Sequence, residues 1–353
     1  MTNKTVKLFT DLVRIDSPSG NEGGVRELTL SILKKLGFEC FVDKTGNAIA
    51  KNNKAGEPVL VGAHFDTVEP GRGIKPQIKN GIITSDGKTI LGADNKAALA
   101  SILSALSSVP KDKIRPLEIV LTVREETDGG INYLNFKQLK SKLGVIADSI
   151  LPIGALITGA PWIEDIEINI KGKAAHASRP QDAINALVAG AWAIANFKWG
   201  HRNKDTIANA GIISGGDATN TIPGWLNIKG EIRSFSNEKF EIAKNEIENH
   251  FKSVAKKYKA KVKITHKFYG NGYSLDKNSK AIEEVLKVYK IIKIKPNIQR
   301  SFGASDANIY AQNGIDVANI GDGVIGAHTT KEQISVASLM KLTKFFETYF
   351  VLN

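Results

Sequence analysis

Short apolar runs alternate with helix-periodic segments through the first third of this chain. Such alternation is typical of helices packed on a largely parallel sheet, because the chain must cross back over the sheet between parallel neighbours. Helices are predicted from Asn21 to Leu36, with Gly37 placed to end the helix, and over residues 95–109. The sequence therefore predicts an α/β fold, a mixed and largely parallel sheet flanked by helices. Its first strands are the runs 59–63, 117–123, 144–148 and 154–158.

The pattern changes near Trp162 and returns to its first style after Gly270. Between these points the periodicity indicates the order β-α-β-β-α-β, which is a ferredoxin-like α+β unit. We therefore expect two domains, because the middle unit interrupts the first one. The outer domain comprises residues 1–162 and 270–353, and the inserted domain comprises residues 163–269.

Composition places the chain among globular proteins, with 353 residues of which 42% are hydrophobic and 24% charged. No apolar run approaches the roughly 20 residues that a membrane-spanning helix needs, so no membrane partner is expected. Cys40 is the one cysteine, which excludes an intrachain disulfide. The charged amino-terminal segment does not resemble a signal peptide. A cytoplasmic location is therefore predicted.

The formal net charge of +12 raises the alternative of a basic binding protein for nucleic acid. Of the 48 basic residues, nine are Arg and the other 39 are Lys, scattered along the chain. Scattered lysines usually form a solvated surface. We therefore expect no nucleic-acid partner, and keep the non-catalytic binding protein as an alternative from another class.

Histidines and carboxylates follow the predicted strands at the points where these strands end. In open α/β sheets, binding sites form at the carboxyl ends of the strands. Each residue alone has an ordinary explanation, such as a loop residue, a solvated turn or a helix N-cap. Their convergence on one edge predicts a functional site. The residues are His64 and Asp66, Asp94, Glu125 and Glu126, Asp148, and His328.

Crowded carboxylates repel one another and take up protons unless a cation compensates them. Two imidazoles and several carboxylates, without thiolates, suit two divalent ions such as zinc, with cobalt or manganese as alternatives. One carboxylate can bridge two such ions. A further Glu must stay free of the metals to act as a general base.

These residues lie in motifs that together resemble the co-catalytic zinc metallopeptidases, a family that includes peptidase T, carboxypeptidase G, aminoacylase and acetylornithine deacetylase. The resemblance extends from about residue 5 to the end, and it is greatest to peptidase T. The motifs are HFDT (64–67), SDGKTILGADNKAA (85–98), REE (124–126), ADS (147–149), GKAAHASRP (172–180), TNTIP (219–223), GASDAN (303–308) and AHTTKE (327–332).

The resemblance implies a dinuclear metal centre in a zinc-peptidase-like catalytic domain, with the inserted domain serving as a lid and dimerisation domain. Asp94 would bridge the metals, with His64 and Asp148 completing one position and Glu126 and His328 the other. Asp66 would orient the His64 ring, and Glu125 would be the general base. His176 would reach the tetrahedral oxyanion of a neighbouring subunit, and Asn220, Arg233 and Gly303 would line the substrate pocket.

Three positions depart from the family pattern and leave substrate preference open. Asn95 replaces a second Asp, Arg124 precedes the Glu pair, and Phe302 replaces a Gly. From the residues alone, Arg233 could instead pair with Glu231, and His176 could be an ordinary surface residue.

The resulting prediction is a homodimeric dinuclear zinc metallopeptidase that hydrolyses short peptides. Peptidase T-like aminopeptidase activity on tri- or dipeptides is favoured. A carboxypeptidase or an N-acyl amino acid deacylase remains the alternative within the enzyme class, because the same metal centre would serve both.

Overall fold

The computed structural model describes residues 4–127, 129–276 and 278–352. Within these ranges the α-helices are α1 Lys4–Val13, α2 Gly23–Lys35, α3 Ala93–Ser108, α4 Ala186–Ala195, α5 Asn237–Lys257, α6 Lys280–Ile291, α7 Asp306–Gln312 and α8 Val336–Phe350. The strands are β1 Glu39–Val42, β2 Ala48–Lys51, β3 Val59–His64, β4 Gln77–Lys79, β5 Ile82–Thr84, β6 Leu117–Thr122, β7 Leu143–Ser149, β8 Ala155–Ile157, β9 Gly159–Ala160, β10 Trp162–Lys171, β11 Ala175–His176, β12 Gly200–His201, β13 Thr206–Gly215, β14 Thr221–Ile222, β15 Trp225–Ser234, β16 Lys261–Gly270, β17 Tyr273–Ser274, β18 Asn297–Gln299, β19 Asp316–Gly321, β20 Val324–Ile325 and β21 Gln333–Ser335.

The chain folds into two compact units. The outer unit runs to Thr158 and resumes at Leu275, and the inserted unit is Gly159–Ser274. The outer unit contains an eight-stranded sheet in the order β1-β2-β6-β3-β7-β19-β8-β18. Strands β6, β3, β7 and β19 are mutually parallel, whereas β1, β2 and β8 make antiparallel pairings. The predicted mixed, largely parallel sheet flanked by helices is therefore confirmed.

Helix α3 supplies much of the core of the outer unit. Its residues from Ala93 to Leu103 are buried, and it packs against α1 and α8 as well as β3 and β7. Burial on all sides explains why its sequence is rich in Ala and Leu and lacks a polar stripe. The helix begins beside the carboxyl ends of the parallel strands, so its first turn belongs to the predicted site.

The inserted unit is a ferredoxin-like domain, as the sequence predicts. Its sheet has the order β12-β13-β15-β10-β16, and every neighbouring pair in it is antiparallel. Alternate residues of β10, such as Ile166 and Ile168, pack with Phe240 and Phe251 of α5 in a separate hydrophobic core. Among the described residues, no helix is both long and apolar enough to cross a bilayer.

Candidate metal centre

Three neighbouring parallel strands deliver polar side chains to one edge of the outer sheet. Strand β3 ends at His64, and Asp148 lies at the corresponding end of β7. Strand β6 ends at Thr122 and runs directly into Glu125 and Glu126. Because β3 lies between β6 and β7 and is parallel to both, these side chains meet at the carboxyl edge.

Asp94 enters the same edge from the start of α3. One of its oxygens, Oδ1, lies 3.3 Å from Nε2 of His64, and the other, Oδ2, lies 3.4 Å from Nε2 of His328. Each carboxylate oxygen therefore faces a different imidazole. This is the arrangement that a carboxylate bridging two metal ions requires.

The other predicted ligands lie beside these two rings. His328 Nε2 is 2.9 Å from Glu126 Oε1, and His64 Nε2 is 3.5 Å from Asp148 Oδ1. Groups of possible ligand atoms within 4.8 Å of one another are formed by His64, Asp94 and Glu126, and by His64, Glu125 and Asp148. These groups divide the residues differently from the prediction. The 2.9 Å contact favours placing Glu126 in the same metal position as His328. Glu125 lies beside His64 and Asp148, a position that also suits a general base.

Asp66 orients the ring of His64 and supports the Glu pair. The Nδ1 atom of His64 lies 3.1 Å from the Asp66 carbonyl oxygen and 3.2 Å from its Oδ1, so Nδ1 donates to Asp66. This leaves Nε2 facing the site, where a metal ion would take the place of its proton. The backbone N–H groups of Glu125 and Glu126 donate to Oδ1 and Oδ2 of Asp66 at 3.0 and 3.1 Å. Burial alone would raise the pKa of Asp66, but hydrogen bonds from His64, Ser19 and the Glu126 backbone lower it.

The site holds more negative charge than the protein compensates. Burial, followed by the charge of Asp148, raises the pKa of Glu125 well above its usual range. Burial likewise raises the pKa of Glu126 and of Asp148, although their histidine partners act in the opposite direction. Such shifts are expected where carboxylates are crowded together without a cation. Asp306, which sequence reasoning left without a role, is a further buried acid here, and burial raises its pKa to about 7.

The negative charge of the site raises the pKa of both histidines. Hydrogen bonds with Asp94 and Glu126 raise the pKa of His328 to about 10. Burial would lower the pKa of His64, but its hydrogen bonds with Asp148, Asp66 and Asp94 hold the value well above the usual range. Both rings are therefore placed as cations among carboxylates, where metal ions would take over the compensation.

Asparagine side chains fix the position of Asp148. Asn95 Nδ2 donates to Asp148 Oδ1 at 3.1 Å and to the Ala147 carbonyl at 2.6 Å. Asn319, on the adjacent strand β19, accepts a hydrogen bond from the Asp148 backbone N–H and donates to its carbonyl. The neutral Asn95 thus acts as a donor to a predicted ligand. A second Asp, as in the family pattern, would be a donor here only when protonated.

Two buried glutamates that the sequence did not single out hold the loops of the site. Glu332 accepts hydrogen bonds from the backbone N–H groups of Leu91, Gly92 and Asp94. Glu22 accepts one from the backbone N–H of Arg124, whose φ of 56° is left-handed. Glu332 is the last residue of the AHTTKE motif, and this motif is the one sequence feature that points to it. A glutamate among charged residues in a turn is more often solvated than buried.

The remaining predicted residues lie in other parts of the chain. In the inserted unit, His176 on β11 pairs with Thr221 on β14, and the Ala177 N–H donates to the Asn220 carbonyl. The His176 ring is exposed, and its Nδ1 accepts from the Ser178 N–H at 3.2 Å, which leaves the proton on Nε2. The Arg233 Nη2 atom donates to Glu231 at 2.8 Å.

Gly303 lies in the outer unit, shortly before α7. Its backbone N–H donates to Ser301 Oγ at 3.0 Å. For His176, Asn220, Arg233 and Gly303, roles toward a substrate stay predictions.

The chain is similar to known proteins over nearly its whole length. The family described as "Peptidase dimerisation domain" of the M20 group matches residues 163–259. The crystal structure of aminopeptidase PepT from Bacillus cereus is 32% identical in sequence, has a TM-score of 0.90, and the match covers 99% of this chain and 97% of that one. The chain belongs to the M20 peptidase family. The predicted peptidase T-like resemblance is thereby confirmed.

Other M20 structures agree in fold. A tripeptidase from Staphylococcus aureus is 29% identical with a TM-score of 0.94, covering 99% of this chain and 97% of that one. A dinuclear metal-binding M20 peptidase from Bacillus subtilis is 14% identical with a TM-score of 0.75, covering 98% and 96%, and shows the shared fold alone. The protein is therefore an M20 metallopeptidase and a hydrolase, as predicted.

Proposed function

We propose that this M20 protein is a dinuclear, zinc-dependent aminopeptidase acting on di- and tripeptides. The observation that carries the proposal is the position of Asp94, whose two oxygens face the Nε2 atoms of His64 and His328 at 3.3 and 3.4 Å. The PepT and tripeptidase relatives support the choice of short peptides as substrates.

The donor set fits two divalent cations. Asp94, Glu126 and Asp148 supply three carboxylate ligands, Glu125 adds a fourth negative charge beside them, and no described thiolate competes. His64 and Asp148 would hold one ion, Glu126 and His328 the other, and Asp94 both. Ions bound there would polarise the scissile carbonyl and favour ionisation of water. Zinc suits imidazole and carboxylate ligands, and cobalt or manganese would also be accommodated.

Glu125 is assigned as the general base because it lies in the site while its neighbour Glu126 contacts His328. It accepts a proton from the attacking water and passes that proton to the leaving amine. Its raised pKa in the metal-free protein reflects burial and the Asp148 charge, and nearby cations would lower it again. Asp66 holds the Glu125 backbone, so the base and the His64 ring are positioned by one carboxylate.

A peptide-mixture digestion tests the assignment. Zinc-loaded protein should release amino-terminal residues from di- and tripeptides, as read by mass spectrometry, and a chelator should abolish the release. Glu125→Gln should lower turnover by about 10²- to 10⁴-fold while zinc content stays at two ions per chain. Release from the carboxyl terminus, or from N-acyl amino acids, would favour the rival activities; no hydrolysis of any of these by the zinc-loaded protein would refute the enzyme assignment.

The inserted domain is assigned to dimer formation, with His176 acting as an oxyanion donor across the subunit boundary. The Nε2 proton deduced for His176 is the donor that this role needs. His176→Ala should lose about 10²-fold or more in turnover, with dimer mass and zinc content unchanged. His201→Ala, at another exposed histidine of the same unit, is the control and should stay active. Near-normal turnover of His176→Ala would remove the proposed role. The cytoplasmic location stays a prediction.

A further inference from the structure

Three backbone N–H groups before and within the first turn of α3 converge on Glu332. Leu91 and Gly92 donate to its Oε2 at 2.8 and 2.7 Å, and Asp94 donates to its Oε1 at 3.0 Å. Glu332 is 1% exposed. Both carboxylate oxygens therefore accept hydrogen bonds from the backbone of the loop that presents the bridging Asp94.

This loop needs such an acceptor because its backbone is irregular. Gly92 has a left-handed φ of 68°, and a Cβ there would come within 3.2 Å of the Thr67 side chain. Asp94, with a ψ of 108°, is also outside the helical conformation. The first N–H groups of a helix have no partners within it, and a buried N–H without an acceptor is costly.

Glu332 also belongs to the turn that carries His328. His328 has a left-handed φ of 64°, and the Glu332 N–H donates to the Thr329 carbonyl at 3.0 Å, so the turn between them is closed. The His328 side chain is 50% exposed, in contrast to 2% for His64. Because packing restrains His328 less, its distance from Asp94 depends more on Glu332, which lies four residues later in the chain and holds the Asp94 loop.

We propose that Glu332 is a positioning residue that joins the His328 turn to the Asp94 loop and thereby controls filling of the metal position formed by His328 and Glu126. The inference rests on the dinuclear site of the proposed function. It extends that function by making the two positions unequal: the His64 position has strand β3 and Asp66 as its supports, whereas the His328 position depends on Glu332.

Zinc titration of the metal-stripped protein tests this inference. The wild type should bind two zinc ions per chain. Glu332→Gln, which replaces one acceptor oxygen by a donor, should weaken zinc binding at the His328 position by about 10- to 100-fold, the range found when a residue supporting a metal ligand is removed. The effect at the His64 position should be smaller, because there only the shared Asp94 depends on Glu332. The zinc titration curve should resemble that of His328→Ala and not that of His64→Ala.

Glu118→Gln is the matched control. Glu118 is another buried glutamate, 1% exposed, and it accepts hydrogen bonds from the N–H groups of Lys140 and Ser141 and from the Ser141 hydroxyl. It lies near the amino end of β6, opposite the site. Its replacement should lower stability comparably and leave both zinc affinities unchanged.

The possible outcomes separate the inference from the proposed function. If wild type does not bind two zinc ions, the dinuclear function fails first. If wild type binds two, and folded Glu332→Gln also binds two with unchanged affinities, Glu332 is merely structural and the inference is overturned. Should Glu332→Gln fail to fold, Glu332→Asp keeps the charge and shortens the reach, and a folded Asp variant with two wild-type affinities would equally overturn it.

Discussion

His64 and His328 have matching roles in the proposed centre but stand on different supports. His64 ends a buried strand, its side chain is 2% exposed, and its Nδ1 is held by Asp66. His328 lies on a turn with a left-handed backbone, and half of its side chain is exposed. The half of the site around His64 is therefore part of the core at the sheet edge. The half around His328 depends on hydrogen bonds made by a loop.

Their charged surroundings differ in the same way. The His64 ring lies within 3.5 Å of carboxylate oxygens of Asp66, Asp94 and Asp148, and all of these groups are largely buried. The His328 ring contacts Asp94 and Glu126 where solvent also reaches it. Buried charges interact strongly and are costly to leave unpaired, whereas exposed pairs contribute little. The two halves should consequently respond differently to the same mutation.

The largest expected difference is in the stability of the metal-free protein. His64→Ala leaves three buried carboxylates without their shared partner, and we expect it to lower the free energy of unfolding by about 3–5 kcal/mol. His328→Ala removes a half-exposed pair and should cost only about 0–1 kcal/mol. Both variants should nevertheless lose a zinc site.

Hydrogen exchange read by mass spectrometry in urea and chelator would measure this difference. Peptides from β3, β6 and β7 should lose protection in His64→Ala, and peptides from β10 and β15 of the inserted unit provide an internal control. Equal losses in the two variants would contradict the distinction between a core-supported and a loop-supported half.

The residues at the ends of parallel strands are the part of the site that the apolar pattern predicts most directly. Parallel strands end at the same edge of a sheet, so an apolar run followed by His64 and another containing Asp148 place both residues at that edge from pattern alone. Asp94 was predictable only in part: its place before a helix was evident, but the left-handed Gly92 and the irregular first turn were not.

Supports formed across long sequence separations were not predictable in this way. Glu332 meets Asp94 across 238 positions, and it is needed only because the loop leaves N–H groups without partners. Nothing in the local pattern distinguishes it from a solvated glutamate. Arg233 illustrates the opposite case, since residues two apart on a strand share a face, and the local sequence alone offers its pairing with Glu231 as an alternative.

The smallest expected effect concerns the titration of His328 in the metal-free protein. Hydrogen bonds with Asp94 and Glu126 raise its pKa to about 10, above the roughly 6.5 of an unfolded chain. The ion pairs therefore stabilise the folded protein fully below about pH 6.5, and this contribution is lost as the pH rises toward 10. Half exposure screens the pairs, so the contribution should stay below about 1 kcal/mol.

An NMR titration of the His328 ring protons would measure this pKa, and Asp94→Asn should move it back toward the ordinary value. A ring that titrates near 6.5 in the wild type would show that the turn does not hold His328 against its carboxylates. Since zinc binds the unprotonated Nε2, a raised pKa also means that zinc must displace a proton at neutral pH. Zinc affinity at the His328 position should accordingly fall as the pH is lowered, and Glu332→Gln should weaken this position at every pH.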